Sequence, residues 1–120
     1  MGSDDEKIAV VTKTCVNVLS MNSELFVKKG IFGTPKPTDQ QIGWTAGFCD
    51  AATQSLGLDD AGVFAIMAVS FEAAFGKAGQ KTLTRWLRDQ SSFESGMIQG
   101  GNAYLDWMSG GQNPIMPLTN

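Results

Sequence analysis

Apolar residues recur at helical spacing along most of the chain. After an acidic start, Asp4-Asp5-Glu6, placed where a helix N-terminus favours negative charge, Ile8, Val11, Cys15, Val18, Leu19, Leu25 and Phe26 predict a first helix over about residues 5–28. Lys28 and Lys29 suit its C-terminal dipole, Gly30 supplies a left-handed cap, and Pro35 and Pro37 stop continuation, so 31–37 reads as a connector. Thr38 with Gln41 three positions on is a capping-box pattern and opens a second helix. Its apolar positions form two adjoining stripes, Ile42, Ala46, Cys49 and Leu56 beside Trp44, Phe48, Ala51 and Ala52, which predicts burial over much of its circumference before Gly57 stops it.

Asp59 or Asp60 caps a third helix whose interior, Val63 to Phe75, is apolar on nearly every face and reads as the central element of the fold. Gly76 and Gly79 interrupt it. Thr82, Leu83, Trp86 and Leu87 then share a short amphipathic helix over about 80–90, with Lys81, Arg85 and Arg88 toward the outside. Ser91 and Glu94 repeat the capping-box spacing, and Phe93, Met97, Gly100, Tyr104 and Met108 mark one face of a fifth helix ended by Gly110 and Gly111. Pro114 and Pro117 make the rest an extended tail, in which Ile115, Met116 and Leu118 need cover from the body or from a partner.

The expected fold is therefore all-α: one compact bundle of about five helices spanning 1–120, with an antiparallel hairpin of the first two. A doubled helical hairpin is a further reading. Shifting the chain by 53 lays Thr38 on Ser91, Gln41 on Glu94, Gly43 on Gly96, Gly47 on Gly100 and Gly57 on Gly110, and a shift of 55 lays Asp4-Asp5 on Asp59-Asp60 and Ile8 on Val63. Gly43-x-x-x-Gly47 and Gly96-x-x-x-Gly100 each strip side chains from a helical face, so another backbone can approach closely. Polar neighbours Gln40, Gln41, Ser95 and Gln99 argue against the same spacing serving a bilayer dimer. Two uses remain: close packing of the second and fifth helices, or a groove for a ligand or a partner's helix.

Composition narrows the chemistry. With 120 residues, 42% hydrophobic and 18% charged, the chain suits a single folded domain, and a net charge of -3 opposes general nucleic-acid binding. Zero histidines exclude a His-assisted nucleophile, a His-ligated zinc and an imidazole switch. No apolar run approaches the roughly 20 residues of a spanning helix, so membrane insertion is not expected. Met1-Gly2-Ser3 reads as a cloning remnant standing where a native leader could have been. Localisation stays open on that account: a soluble protein, cytoplasmic by default, periplasmic or secreted if a leader was lost.

Cys15 and Cys49 fall at nearly matched heights in the expected hairpin, which allows a bridge, but the plainer reading is two small buried hydrophobes. Glu72 is the ionisable group inside the apolar third helix, expected to pair with Arg85 or Arg88 and otherwise to line a cavity. Asp39, Asp50 and Asp106 are scattered and match no calcium loop. Arg85-Trp86-Leu87-Arg88 with Lys77 and Lys81 reads as a solvated basic face. No metal or cofactor is expected.

By elimination the chain is expected to be a non-catalytic protein-interaction module, of the kind that inhibitors, immunity proteins, adaptors and secretion partners represent, which offers helix faces to another protein or to a second copy of itself. Gly43, Gly47, Gly96, Gly100, Glu72, Tyr104, Trp107 and Met116 are its candidate binding residues. The alternative is a carrier or sensor of a small apolar ligand, with a pocket among the second, third and fifth helices and Glu72 or Tyr104 orienting the ligand. An enzyme would need carboxylates alone or a cofactor.

Overall fold

Five α-helices and no strand form among the residues described by the computed structural model, which are 3–28, 37–54 and 57–116. They are α1 (Ser3–Lys28), α2 (Asp39–Gln54), α3 (Asp60–Phe75), α4 (Gly79–Arg88) and α5 (Glu94–Met108). The caps expected at Lys29 and Gly30, the connector 31–36, Leu56, Pro117 and Leu118 lie outside the described residues, as do the side chains of Leu25 and Phe26.

Local chemistry accounts for most of the boundaries. At the start of α2 the capping box closes as expected: Thr38 N–H donates to Gln41 Oε1 at 3.0 Å and Gln41 N–H donates to Thr38 Oγ1 at 3.1 Å. Asp59 caps α3 by accepting from Gly62 N–H at 2.9 Å. The matching box expected at Ser91 and Glu94 does not form. Ser91 Oγ donates instead to Asp89 Oδ1, and a 3-10 turn, Gln90–Phe93, leads into α5 with no side-chain cap. Asp89 is the nearer acceptor and takes both Ser91 and Ser92, which hold its carboxyl below the usual carboxylate range.

The centre of the fold is α2, not α3 as the hydropathy suggested. Eleven consecutive or near-consecutive positions of α2 are buried, Gln41 through Cys49 with Ala52 and Thr53. By contrast α3 leaves Phe64 52% and Val69 45% exposed. Uniform apolarity gives no direction to a helix, whereas the small residues of α2 let neighbours close in on several sides. α1 packs on α3 and α5 packs on α2; α2 also touches α1, α3 and α4.

Joined end to end, Asp60–Arg88 is long and apolar enough to cross a bilayer by length and composition alone. It is not a straight rod. Gly76 takes a φ of 59° and Gly79 comes to rest against the backbone of Glu72, where a Cβ would sit 2.8 Å from the Glu72 nitrogen and Cα. That turn folds α4 back onto α3, with Phe71 and Trp86 facing at 6.5 Å between ring centroids.

The segment after α5 is tied down as far as Met116. Gly110, at φ 93°, ends α5 in a Schellman turn: Gly111 N–H donates to Asp106 O at 2.9 Å and Gly110 N–H to Trp107 O at 3.1 Å. The reversed chain then docks on α1. Met116 N–H donates to Asn22 Oδ1 at 2.7 Å, and Asn22 Nδ2 donates to Pro114 O at 3.2 Å and Val18 O at 2.9 Å. Asn22, Pro114 and Met116 are all buried, while Ile115 points outward. The body of the protein thus covers the tail at Pro114 and Met116.

Two stability outcomes follow. Asn22→Ala strands a buried N–H and a buried carbonyl, and is expected to lower the unfolding free energy in urea by about 1–3 kcal/mol. Gly47→Ala and Gly100→Ala, which force a Cβ into the backbone of the facing helix, are each expected to lose at least about 2 kcal/mol, whereas Gly101→Ala, whose Cβ meets Gly47 O at an ordinary 3.7 Å, should hold or gain slightly through helix propensity.

Candidate functional site

α2 and α5 meet backbone to backbone. A Cβ on Gly43 would lie 3.0 Å from the Gly96 Cα and would overlap Phe93 O; one on Gly96 would overlap Gln40 O. A Cβ on Gly47 would overlap the backbone of Met97, and one on Gly100 that of Trp44. Each of these pairs turns into another when 53 is added or subtracted, so the crossing has a local twofold relation at the shift seen in the sequence. Partners advance together along both helices, from Gly43 and Gly96 to Gly47 and Gly101, so α2 and α5 run parallel. The hydrogen that replaces each side chain points at a carbonyl oxygen of the facing helix, a weak Cα–H···O arrangement worth about 0.5–1 kcal/mol each.

The four glycines therefore serve the chain's own packing, and their face is closed to a partner unless α5 leaves. The aromatic candidates are similarly engaged. Trp44 and Phe48 stack at 5.2 Å, Tyr104 meets Phe48 edge-on at 5.4 Å and Trp107 stacks on it at 6.2 Å. Trp86 Nε1 donates to Met97 Sδ at 3.3 Å, which ties α4 to the same cluster. Met116 is in the core. Glu72 was expected inside an apolar helix and paired with Arg85; its side chain is exposed, and Arg85 instead binds Asp39 Oδ1 at 3.0 Å and lies 5.8 Å from the Phe93 ring centroid. Both members of that ion pair are on the surface, where such pairs add little stability.

A groove does lie at these helices, beside the glycine contact, and of its lining only Gly47 was among the candidate binding residues of the sequence. Alongside their crossing, the two helices leave a furrow of about 380 Å³ bordered by Gly47, Asp50, Ala51 and Gln54 from α2 and by Glu94, Met97, Ile98, Gly101, Asn102 and Leu105 from α5. Ile98 is 58% and Leu105 59% exposed. With Gly101 and Met108 they fall at a three-four spacing, i, i+3, i+7 and i+10, that of a coiled-coil seam. Asp50 accepts from Gln54 Nε2 at 2.9 Å on one wall, and Glu94 stands on the other. The spacing was readable in the sequence, but the inward face with Met97, Gly100 and Tyr104 carried the stronger aromatic signal. Glu72 and Tyr104 are not among the groove's lining, and α3 does not approach α5.

The second cluster is internal. Cys15, Cys49 and Ser70 come together from α1, α2 and α3, and all three side chains are fully buried. Both thiols are free. The neighbouring Cys15 and complete burial push Cys49 well above the ordinary thiol range, while the hydrogen bond from Cys49 lowers Cys15 against the effect of burial. Removing one proton from the pair therefore makes the second harder to remove. Ser70 Oγ lies beside them without a well-formed hydrogen bond. Among the described residues no group of three acids, thiols or imidazoles stands close enough to hold a metal ion.

The chain matches no known protein family, no curated protein and no solved structure.

Closed in this way, the thiols should resist chemistry at neutral pH. Native protein treated with iodoacetamide is expected to remain unalkylated, by intact mass, over a period in which urea-unfolded protein takes up label on both Cys15 and Cys49; rapid native labelling of either would show that the cluster opens readily.

Proposed function

We propose that this chain is a non-catalytic module that recognises another protein through the outer face of α5 and the furrow that α5 makes with α2. The observation that carries the reading is the exposure of Ile98, Leu105 and Met108 at coiled-coil spacing on a helix whose other face is fixed by backbone contact with α2. Large apolar side chains aligned along one helix are what an interface core uses, and the polar residues Asn102, Gln54, Asp50 and Glu94 around them have the character of a rim. The remaining chemistry favours contact over bond-making: the chain has no histidine, its thiols are enclosed, and Glu72 stands on the surface.

A photo-crosslinking residue placed at Ile98 or at Leu105 is expected to give one discrete cross-linked product in native extract, and none when placed at the exposed Val10 of α1. A product of twice the chain's mass identifies a second copy as the partner; a heavier or lighter one identifies a different protein. Absence of any product at the α5 positions, or the same products from Val10, would overturn the reading.

A further inference from the structure

We infer that the furrow between α2 and α5 receives a cationic amphipathic α-helix, its apolar stripe laid on Ile98, Leu105 and Ala51 and its Lys or Arg heads directed at Asp50 and Glu94. This rests on the interaction reading above and specifies the partner's chemistry.

Shape supplies the first half of the argument. Two parallel helices held in backbone contact at their glycines leave a furrow alongside that contact, bounded by helix on both sides. Its walls run from Gly47 to Gln54 and from Glu94 to Leu105, which at a rise of about 1.5 Å per residue is roughly 10–16 Å, two to three turns of a helix. Small residues, Ala51 and Gly101, let an incoming helix come close, while Ile98 and Leu105 supply knobs one heptad apart.

Charge supplies the second half. Neither α2 nor α5 contains a Lys or Arg, and none follows Arg88 anywhere in the sequence. All nine cations of the chain lie outside α2 and α5 in the sequence, and among the described residues the furrow's lining carries Asp50 and Glu94 with no positive side chain. Because α2 and α5 are parallel, their C-termini end on the same side, and neither last turn holds a basic residue. The negative ends of the two helix dipoles therefore add to Asp50 at the Gln54 and Leu105 end of the furrow, while Glu94 stands in the first turn of α5 at its other end. A surface of one sign with apolar walls selects a partner that is apolar along one edge and positive beside it, and repels nucleic acid and acidic helices.

The test uses the full chain and two synthetic helical peptides of about 14 residues, with Leu at i, i+3, i+7 and i+10 and flanks of either Lys or Glu, followed by fluorescence anisotropy. The Lys peptide is expected to bind saturably, at least about tenfold tighter than the Glu peptide, with affinity falling as salt rises. Ala51→Met, which fills the furrow, and Glu94→Lys with Asp50→Asn, which reverses its sign, are each expected to weaken binding at least about tenfold, while Phe64→Ser on α3 leaves it unchanged. Circular dichroism and thermal melting confirm that each variant folds; Gly101→Met replaces Ala51→Met if that one does not. Equal binding of both peptides, no saturable binding, or undiminished binding to the filled and charge-reversed variants would overturn the inference. Should the peptides fail while cross-links from Ile98 persist, the partner chemistry is wrong and the interaction reading stands; loss of both removes the two together.

Discussion

The arrangement depends on one steric condition: at four positions along α2 and α5 there must be no side chain. Gly43, Gly47, Gly96 and Gly100 allow the two backbones to touch, and α5 otherwise meets α4 through one side-chain contact, Met97 with Trp86. Everything on the inner side of α5, the edge-on Tyr104, the stacked Trp107 and the Met97 thioether under Trp86, is set in place by that contact. In water glycine is a poor helix former, so the contact must recover what propensity loses. Dispersion between closely approached backbones, aligned Cα–H donors and the aromatic seal around Phe48 are the contributions available.

The same condition decides which surfaces remain. A helix clamped on one face turns the opposite face outward, and here that face carries Ile98 and Leu105, while Met108, expected on the inner face, is exposed because α5 ends there. The polar groups divide in the same sense. Cations lie on the α1 and α4 side of the sequence, and α2 with α5 form a layer whose only formal charges are negative. Arg85 and Asp39 bridge the two regions at the surface. Inside, the thiols of Cys15 and Cys49 fill space beside Ser70 as small apolar groups do, and their ionisation is tied together by contact.

Local signals in the sequence were read well where one residue and its near neighbours decide the outcome. Thr38 with Gln41, Asp59 before α3, and Gly110 after α5 each act through hydrogen bonds within a few positions. The 53-residue shift pointed to the glycine pairs, and in space Gly43 faces Gly96 while Gly47 and Gly100 face the backbones of Met97 and Trp44. Signals that depend on competition between neighbours were not legible. Ser91 had a closer acceptor in Asp89 than the helix end, and Arg85 had Asp39 within reach while Glu72 turned to solvent. The central position of α2 was hidden for a different reason: α3 is the more apolar helix, but burial is set by how many neighbours can approach, and alanine, glycine and threonine admit more of them than a continuous run of bulky side chains does. Ile98 and Leu105 were not singled out because they look like ordinary surface residues until the opposite face of their helix is known to be occupied.

Parallel alignment of α2 and α5 has a kinetic side. Helices that run the same way cannot be joined by a tight turn, so the chain between Gly47 and Gly96 must travel back before the two can meet. Closing a segment of that length carries its entropic penalty before any of the backbone contact is gained. The contact of the last helix with α2 thus spans a long stretch of chain, and losing it would bare a strip of glycine and the face of Phe48 while α1 and α4 each kept their packing on α3.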